Sequence, residues 1–319
     1  MALISAAGSL AVLLVLFFIS AAFGSRALRF LGLETDRPLD HLLFASGAGF
    51  ATLQLLAGIL SLAAGLQSRS AIVLLAAMAA AAGSGWKSLF RLGRDSFKDL
   101  AKIFEPATAK GLGIGILFFA GVEALLATAP LTGSDAMHYH FTAPLLQLGK
   151  PEQPIFWLTH AFLAGLGHEL IGLGLALGGD RLALLLIYLS GCLTAAALLQ
   201  FARRLMPVEW ALSAVLTFFM APMVFWQIST AGSPDIWMGF YVLLATLATA
   251  EIAGSFSAGL HVKPGPVPAG LQVKPGPVPA GLRVKPGPVP AGLPLKTADT
   301  SWIVLAGVYA GAAGGIKST

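Results

Sequence analysis

Eight times along this chain an apolar run recurs that is long enough, or nearly so, to cross a bilayer: near residues 2–24, 41–65, 68–84, 109–129, 181–202, 208–228, 235–254 and 301–317. A helix needs roughly 20 apolar residues for that crossing, so the third and last runs are marginal and the others suffice. Charged residues make up only 11% of the chain and hydrophobic ones 56%, whereas a soluble domain carries about a quarter charged. The expectation is an all-α polytopic membrane protein with about eight transmembrane helices. The first run has no basic segment ahead of it and is followed by many more, so it reads as a span rather than a cleaved signal.

Charge then sets the orientation. A net charge of +5 could suggest nucleic acid, but the basic residues are spread over short loops between apolar runs, the pattern of topology-setting charge. Nucleic acid is therefore not an expected partner. From Trp86 to Pro106, Trp86, Leu89, Phe90, Phe97, Leu100, Ile103 and Phe104 recur at helical spacing, while Lys87, Arg91, Arg94, Lys98 and Lys102 fill the other face. Such a basic amphipathic helix lies in the interface of an anionic cytoplasmic leaflet. With it inside, the groups Arg26, Arg29 and Arg37, then Arg203 and Arg204, then Lys263, Lys274, Arg283, Lys285 and Lys296 fall inside as well. Asp135 and Asp235 then face the extracytoplasmic side.

The same reading divides the chain into N-terminal transmembrane helices (1–84), the cytoplasmic amphipathic helix (85–108), a transmembrane core (109–254), a Pro/Gly-rich cytoplasmic loop (255–299) and the start of a further span (300–319). Residues Ala164 to Gly178 are apolar but too short to span, and suit an interfacial or re-entrant helix. From Val262 an 11-residue unit, Val-Lys-Pro-Gly-Pro-Val-Pro-Ala-Gly-Leu plus one variable residue, occurs three times. Its prolines and glycines predict a polyproline-II-like or disordered loop, which reads as a tolerated surface expansion. The ending Gly315-Ile316-Lys317-Ser318-Thr319, at the close of an apolar run, reads as a truncated frame. Cys192 is the one cysteine, so no intramolecular disulfide can form.

Chemistry is concentrated in Gly133-Ser134-Asp135-Ala136-Met137-His138-Tyr139-His140. A carboxylate, two imidazoles and a phenol beside a membrane are costly and need a reason. Asp135 follows a span closely, behind Pro130 and Gly133, and a partly desolvated carboxylate is suited to general-base work. The competing reading is a helix N-cap. Asp235, after Gly232-Ser233-Pro234, faces the same choice between a cap and a substrate contact. Trp157, Phe156 and Tyr139 can equally be interfacial aromatics. His138, His140, His160 and His168 with Asp135 and Glu169 offer donors to a divalent metal, but none has a recognised ligand spacing. No cofactor is assigned, and the metal question stays open. Lys317 would sit at the extracytoplasmic end of the last span, able to meet a lipid phosphate or merely to snorkel.

Taken together, Ser134-Asp135 through His140, Gly149-Lys150-Pro151, Asp180-Arg181, Arg203-Arg204, Ala221-Pro222-Met223, Gln227 with Ser229, Gly232-Ser233-Pro234-Asp235 and the final Gly314-Gly315-Ile316-Lys317 resemble GT-C type membrane glycosyltransferases. The likeness is to the RgtA/B/C/D-like and dolichyl-phosphate-mannose mannosyltransferase-like branch. It covers roughly residues 109–254 and the last few. Ala136 stands where many relatives carry a second acid.

That resemblance implies a multi-pass enzyme of the cell membrane, in bacteria the inner membrane. It would move a sugar from a polyprenyl-phosphate donor to a hydroxyl of a lipid, glycan or protein acceptor at the extracytoplasmic face. It also implies Asp135 as the base, with His138, Tyr139, His140, Asp235 and Lys317 binding substrate. A transporter or flippase using the acids as ligands is the alternative from another class, and an inactive fragment a third. Transporters place such charges mid-bilayer in broken helices or inverted repeats; here the acids cluster at one face and no inverted repeat is visible.

Overall fold

The computed structural model describes residues 2–151, 165–260 and 297–316. They form eleven α-helices: α1 (Ala2–Phe30), α2 (Pro38–Ala64), α3 (Ser68–Ala82), α4 (Gly85–Ile103), α5 (Ala107–Ala127), α6 (Thr142–Gln147), α7 (Leu166–Ala202), α8 (Val208–Met220), α9 (Pro222–Trp226), α10 (Asp235–Leu260) and α11 (Thr297–Gly315). Single π-helical turns cover Ala136–His140 and Gln227–Ala231. Among the described residues there is no strand. The repeat units, Phe156, Trp157, His160 and Lys317 lie outside the described residues.

Five helices are long and apolar enough to cross a membrane: α1, α2, α5, α7 and α10. Two bent pairs bring the total to as many as seven, α3 with α4 at 81° and α8 with the segment Pro222–Ala231 at 56°. The protein is an all-α multi-pass membrane protein. Two of the expected eight runs thus lie in bent pairs: the third turns at Gly83–Ser84 into the amphipathic helix, and the sixth breaks at Ala221, just before Pro222, which cannot continue the hydrogen-bond ladder. Val73, Ile114, Leu117 and Leu125 all point outward with more than two thirds of their surface exposed, an apolar exterior that suits lipid rather than water.

The apolar stretch before Asp180 does not simply lengthen the span that follows. Within α7, Gly179 has φ 71° and ψ −166°, a conformation glycine adopts without a Cβ penalty. On a straight helix, positions nine apart are separated by about 13 Å. Here a Cβ on Gly174 would fall 2.6 Å from the Cα of Ala183, so the chain folds back sharply. Residues 166–178 are thus a short, largely buried helix and 180–202 a second one, joined at the Gly179 break. Arg181 Nε donates to the Thr128 carbonyl at 3.0 Å, fixing that end of the span to the exit of α5.

The core runs through Leu16, Phe44, Phe50, Leu53, Trp237, Phe240, Tyr241 and Tyr309, all fully buried. Phe50 meets Trp237, and Tyr241 stacks on Tyr309, so α2, α10 and α11 share one aromatic seam. Basic residues gather at one end: Arg204 pairs with Asp40 (2.7 Å) and Glu251 (2.6 Å), Arg203 with Asp99 (3.3 Å), and Arg29 reaches Ser84 (3.1 Å). The Asp135 loop and the start of α10 occupy the other.

Candidate functional site

Backbone contact, rather than side chains, brings the two acids to the same place. The N–H of Gly133 donates to the Thr230 carbonyl at 3.1 Å. A Cβ at position 133 would lie 2.3 Å from that oxygen, so only glycine allows the loop after α5 to touch the π-turn Gln227–Ala231. From there Gly232, at φ 57°, turns the chain through Ser233 and Pro234 to Asp235. Both π-turns therefore abut at one site, which is where such turns concentrate.

Asp135 has helical backbone angles, and its carboxylate caps no N–H of its turn. At α10, the Asp235 N–H donates to the Ser233 hydroxyl at 3.3 Å, so the local cap comes from Ser233. The carboxylates of Asp135 and Asp235 both act on Tyr139: burial first, then these two negative charges, push its phenol above the ordinary value. Ionising a phenol between two carboxylates would add a third negative charge to a partly dry site.

His138 is exposed, with Nδ1 2.7 Å from the Ser134 carbonyl of its own turn, so it donates there. His140 is buried; its ring centroid lies 4.0 Å from that of Tyr139. Its Nδ1 is 3.2 Å from Nε2 of His168 on the short helix of α7. The Gly165 N–H donates to Nδ1 of His168 at 3.3 Å, so that nitrogen must be bare. Neutral His168 then carries its proton on Nε2 and gives it to His140 Nδ1. Beside it, buried Glu169 lines a recess of about 10 Å³ with Ser61, Gln147 and Gly172, room for one water.

Ile316, the last described residue, packs here too: a Cβ on Gly165 would meet its carbonyl oxygen at 2.4 Å, and one on Gly167 its side chain at 3.1 Å and Pro234 at 2.4 Å. Asp135, Tyr139, His140 and Asp235 are thus brought together, while His138 turns back on its own backbone and Lys317 lies outside the described residues. His168 and Glu169, read from the sequence only as metal donors on an interfacial helix, are part of the same wall. Their adjacency to Gly-rich apolar sequence was the signal, since two ionisable groups in such a stretch need partners. Among the described residues no group of three or more His, Cys, Asp or Glu is placed to hold a metal ion.

Sequence reading passed over Glu123. It is fully buried on α5, with neither carboxylate oxygen hydrogen-bonded among the described residues, and it faces Tyr188 and Cys192 of α7. Glu251 and Asp40 were likewise missed as partners of Arg204, because only the fold brings α2 and α10 to that guanidinium.

No curated protein and no solved structure matches the chain. A family model does match, over residues 85–248, a stretch that starts with α4 and contains Asp135, Tyr139, His140, His168, Glu169 and Asp235. Spanning just over half of the 319 residues, that match places the chain in the family of the DUF1420 N-terminal domain.

Proposed function

We propose that the protein is a glycosyltransferase that takes a sugar from a polyprenyl-phosphate donor at the extracytoplasmic face of a bacterial inner membrane and transfers it to a hydroxyl of a lipid, glycan or protein acceptor. One observation carries the reading: the 3.1 Å bond from the Gly133 N–H to the Thr230 carbonyl brings the segments carrying Asp135 and Asp235, far apart in sequence, to one place beside Tyr139. Two carboxylates and a phenol at the end of a helical bundle can hold a polyhydroxylated sugar and take a proton from an acceptor. The resemblance in sequence to GT-C enzymes points the same way.

In this reading the acceptor O–H passes its proton to Asp135 as its oxygen attacks the anomeric carbon. The bond from that carbon to the phosphate oxygen breaks, polyprenyl phosphate leaves as the anion, and the configuration inverts. Asp235 and Tyr139 hold sugar hydroxyls, while His140, steadied by His168, walls the site. Lys317, next to Ile316, would meet the phosphate. The prenyl chain would lie in the groove of about 580 Å³ lined by Val242, Ala245, Thr246, Thr249, Ala310 and Ala313, between the helix that opens at Asp235 and the one that ends beside it.

The test is transfer of radiolabelled sugar from a panel of polyprenyl-phosphate sugars in membranes holding matched amounts of wild type and Asp135→Asn. Loss of a general base lowers turnover by about 10²–10⁴-fold. Undiminished transfer by the variant, or no transfer of any donor by the wild type, would overturn the proposal. Glu123 gives the transporter reading its one specific support, a buried acid inside a span; that reading requires Glu123→Gln to abolish substrate flux into vesicles.

A further inference from the structure

Independently of that reaction, the far end of the bundle carries a second surface. The 81° bend after α3 lays α4 across the end of α1. Lys87, Arg91, Arg94, Lys98 and Lys102 are all exposed, and at 3.6 residues per turn they fall within about 80° of one another. Phe90 and Phe97 project beside them, 74% and 72% exposed. On the other flank Asp95 takes Arg94 and Lys98, and Asp99 takes Arg203. Lys87, Arg91 and Lys102 have no acid partner among the described residues.

Along the aromatic flank of this stripe runs a groove of about 350 Å³ lined by Val15, Phe18 and Ile19 of α1, Ala79 of α3, and Trp86 and Phe90 of α4. Lys87 lies one turn before Phe90 and Arg91 one turn beyond Lys87, so two of the cations without an acid partner stack on the helix face next to the groove. The Trp86 indole N–H is already taken up by the Ala79 carbonyl at 3.1 Å, leaving the ring to the groove as apolar surface. An apolar groove flanked by two neighbouring cations matches one kind of occupant: an acyl chain joined to an anionic phosphate.

We propose that α1, α3 and α4 form a binding site for one anionic phospholipid, its acyl chain in the groove and its phosphate between Lys87 and Arg91. Trp86 reports on it directly. Full-length protein is reconstituted in phosphatidylcholine vesicles doped with phospholipids brominated along the acyl chain, and the Trp86 signal is taken as wild type minus Trp86→Phe. Brominated phosphatidylglycerol is expected to quench that signal at a much lower mole fraction than brominated phosphatidylcholine.

Each cation removed weakens the preference about fivefold, and Lys87→Gln with Arg91→Gln together about 25-fold. Ala79→Phe, which fills the groove and leaves every charge in place, removes it too. Equal quenching by the two lipids, or a preference that survives either change, would overturn the proposal. Should Trp86→Phe or Ala79→Phe fail to fold, native mass spectrometry of wild type and the Lys87/Arg91 double variant, each extracted in mild detergent, decides. Retained phosphatidylglycerol that disappears in the double variant supports the site; equal retention refutes it.

Discussion

His140 and His168, on different elements, share one hydrogen bond: Nδ1 of the first lies 3.2 Å from Nε2 of the second. With the Gly165 N–H on the other nitrogen of His168, the pair holds the turn carrying Asp135 against the first turn of α7. An imidazole protonated at both nitrogens can serve only as donor, so a cationic His168 would lose the Gly165 contact. Replacing His140 by Phe removes the bond to His168 and should cost about 0.5–1.5 kcal/mol, measured as a lower melting temperature in detergent.

The phenol of Tyr139 should ionise late. Burial and the charges of Asp135 and Asp235 raise it above its ordinary value, so the folded state binds its proton more tightly than the unfolded chain. Its contribution to stability is then intact below pH of about 10 and is lost as pH rises beyond that. Ultraviolet difference titration of wild type against Tyr139→Phe should show the late step, and Asp135→Asn or Asp235→Asn should each move it down. An unmoved step in either variant would separate that carboxylate from the site.

Gly133→Ala should disable the site without touching a polar side chain. Its methyl group would stand 2.3 Å from the Thr230 oxygen, forcing apart the two backbones that carry Asp135 and Asp235. Overpacking of this kind costs about 1–3 kcal/mol. Activity should fall more than stability, with turnover and thermal melting measured side by side.

At the opposite end, Arg204 is held charged by more than its surroundings allow: burial opposes its charge, but the bonds to Glu251 and Asp40 outweigh that and raise its proton affinity. Arg204→Leu would leave two carboxylates facing one another. Breaking such a pair costs about 3–5 kcal/mol when fully buried. With Glu251 30% exposed, the low end applies. Adding Asp40→Asn and Glu251→Gln should recover part of the loss in a chemical melt.

Glu123→Leu should stabilise the protein by about 1–3 kcal/mol, because it removes two buried oxygens with no hydrogen-bond partner among the described residues. A rise in melting temperature together with lost activity would mark Glu123 as a working group held at a cost to stability. A rise with unchanged activity would leave it outside the reaction.

Run length and charge determined the fold class, the basic end of the bundle and the amphipathic character of Trp86–Pro106, because lipid allows a polypeptide few ways to satisfy its backbone. The concentration of polar groups at residues 133–140 marked Asp135, and the resemblance to GT-C enzymes added Tyr139, His140 and Asp235. What the sequence could not decide was which of these meet. Only the Gly133–Thr230 contact, the fold-back at Gly179 and the packing of Ile316 on Gly165 bring residues 135, 139, 140, 168 and 235 to one place, and these depend on steric fit between segments remote in sequence. His138 shows the converse: two positions from His140, with the same chemistry, it is spent on the carbonyl of its own turn, since a π-turn points neighbouring side chains in different directions. The partners of Arg204 and the isolation of Glu123 follow the same rule, for a charge in an apolar run announces a need, and only the packed bundle shows whether that need is met.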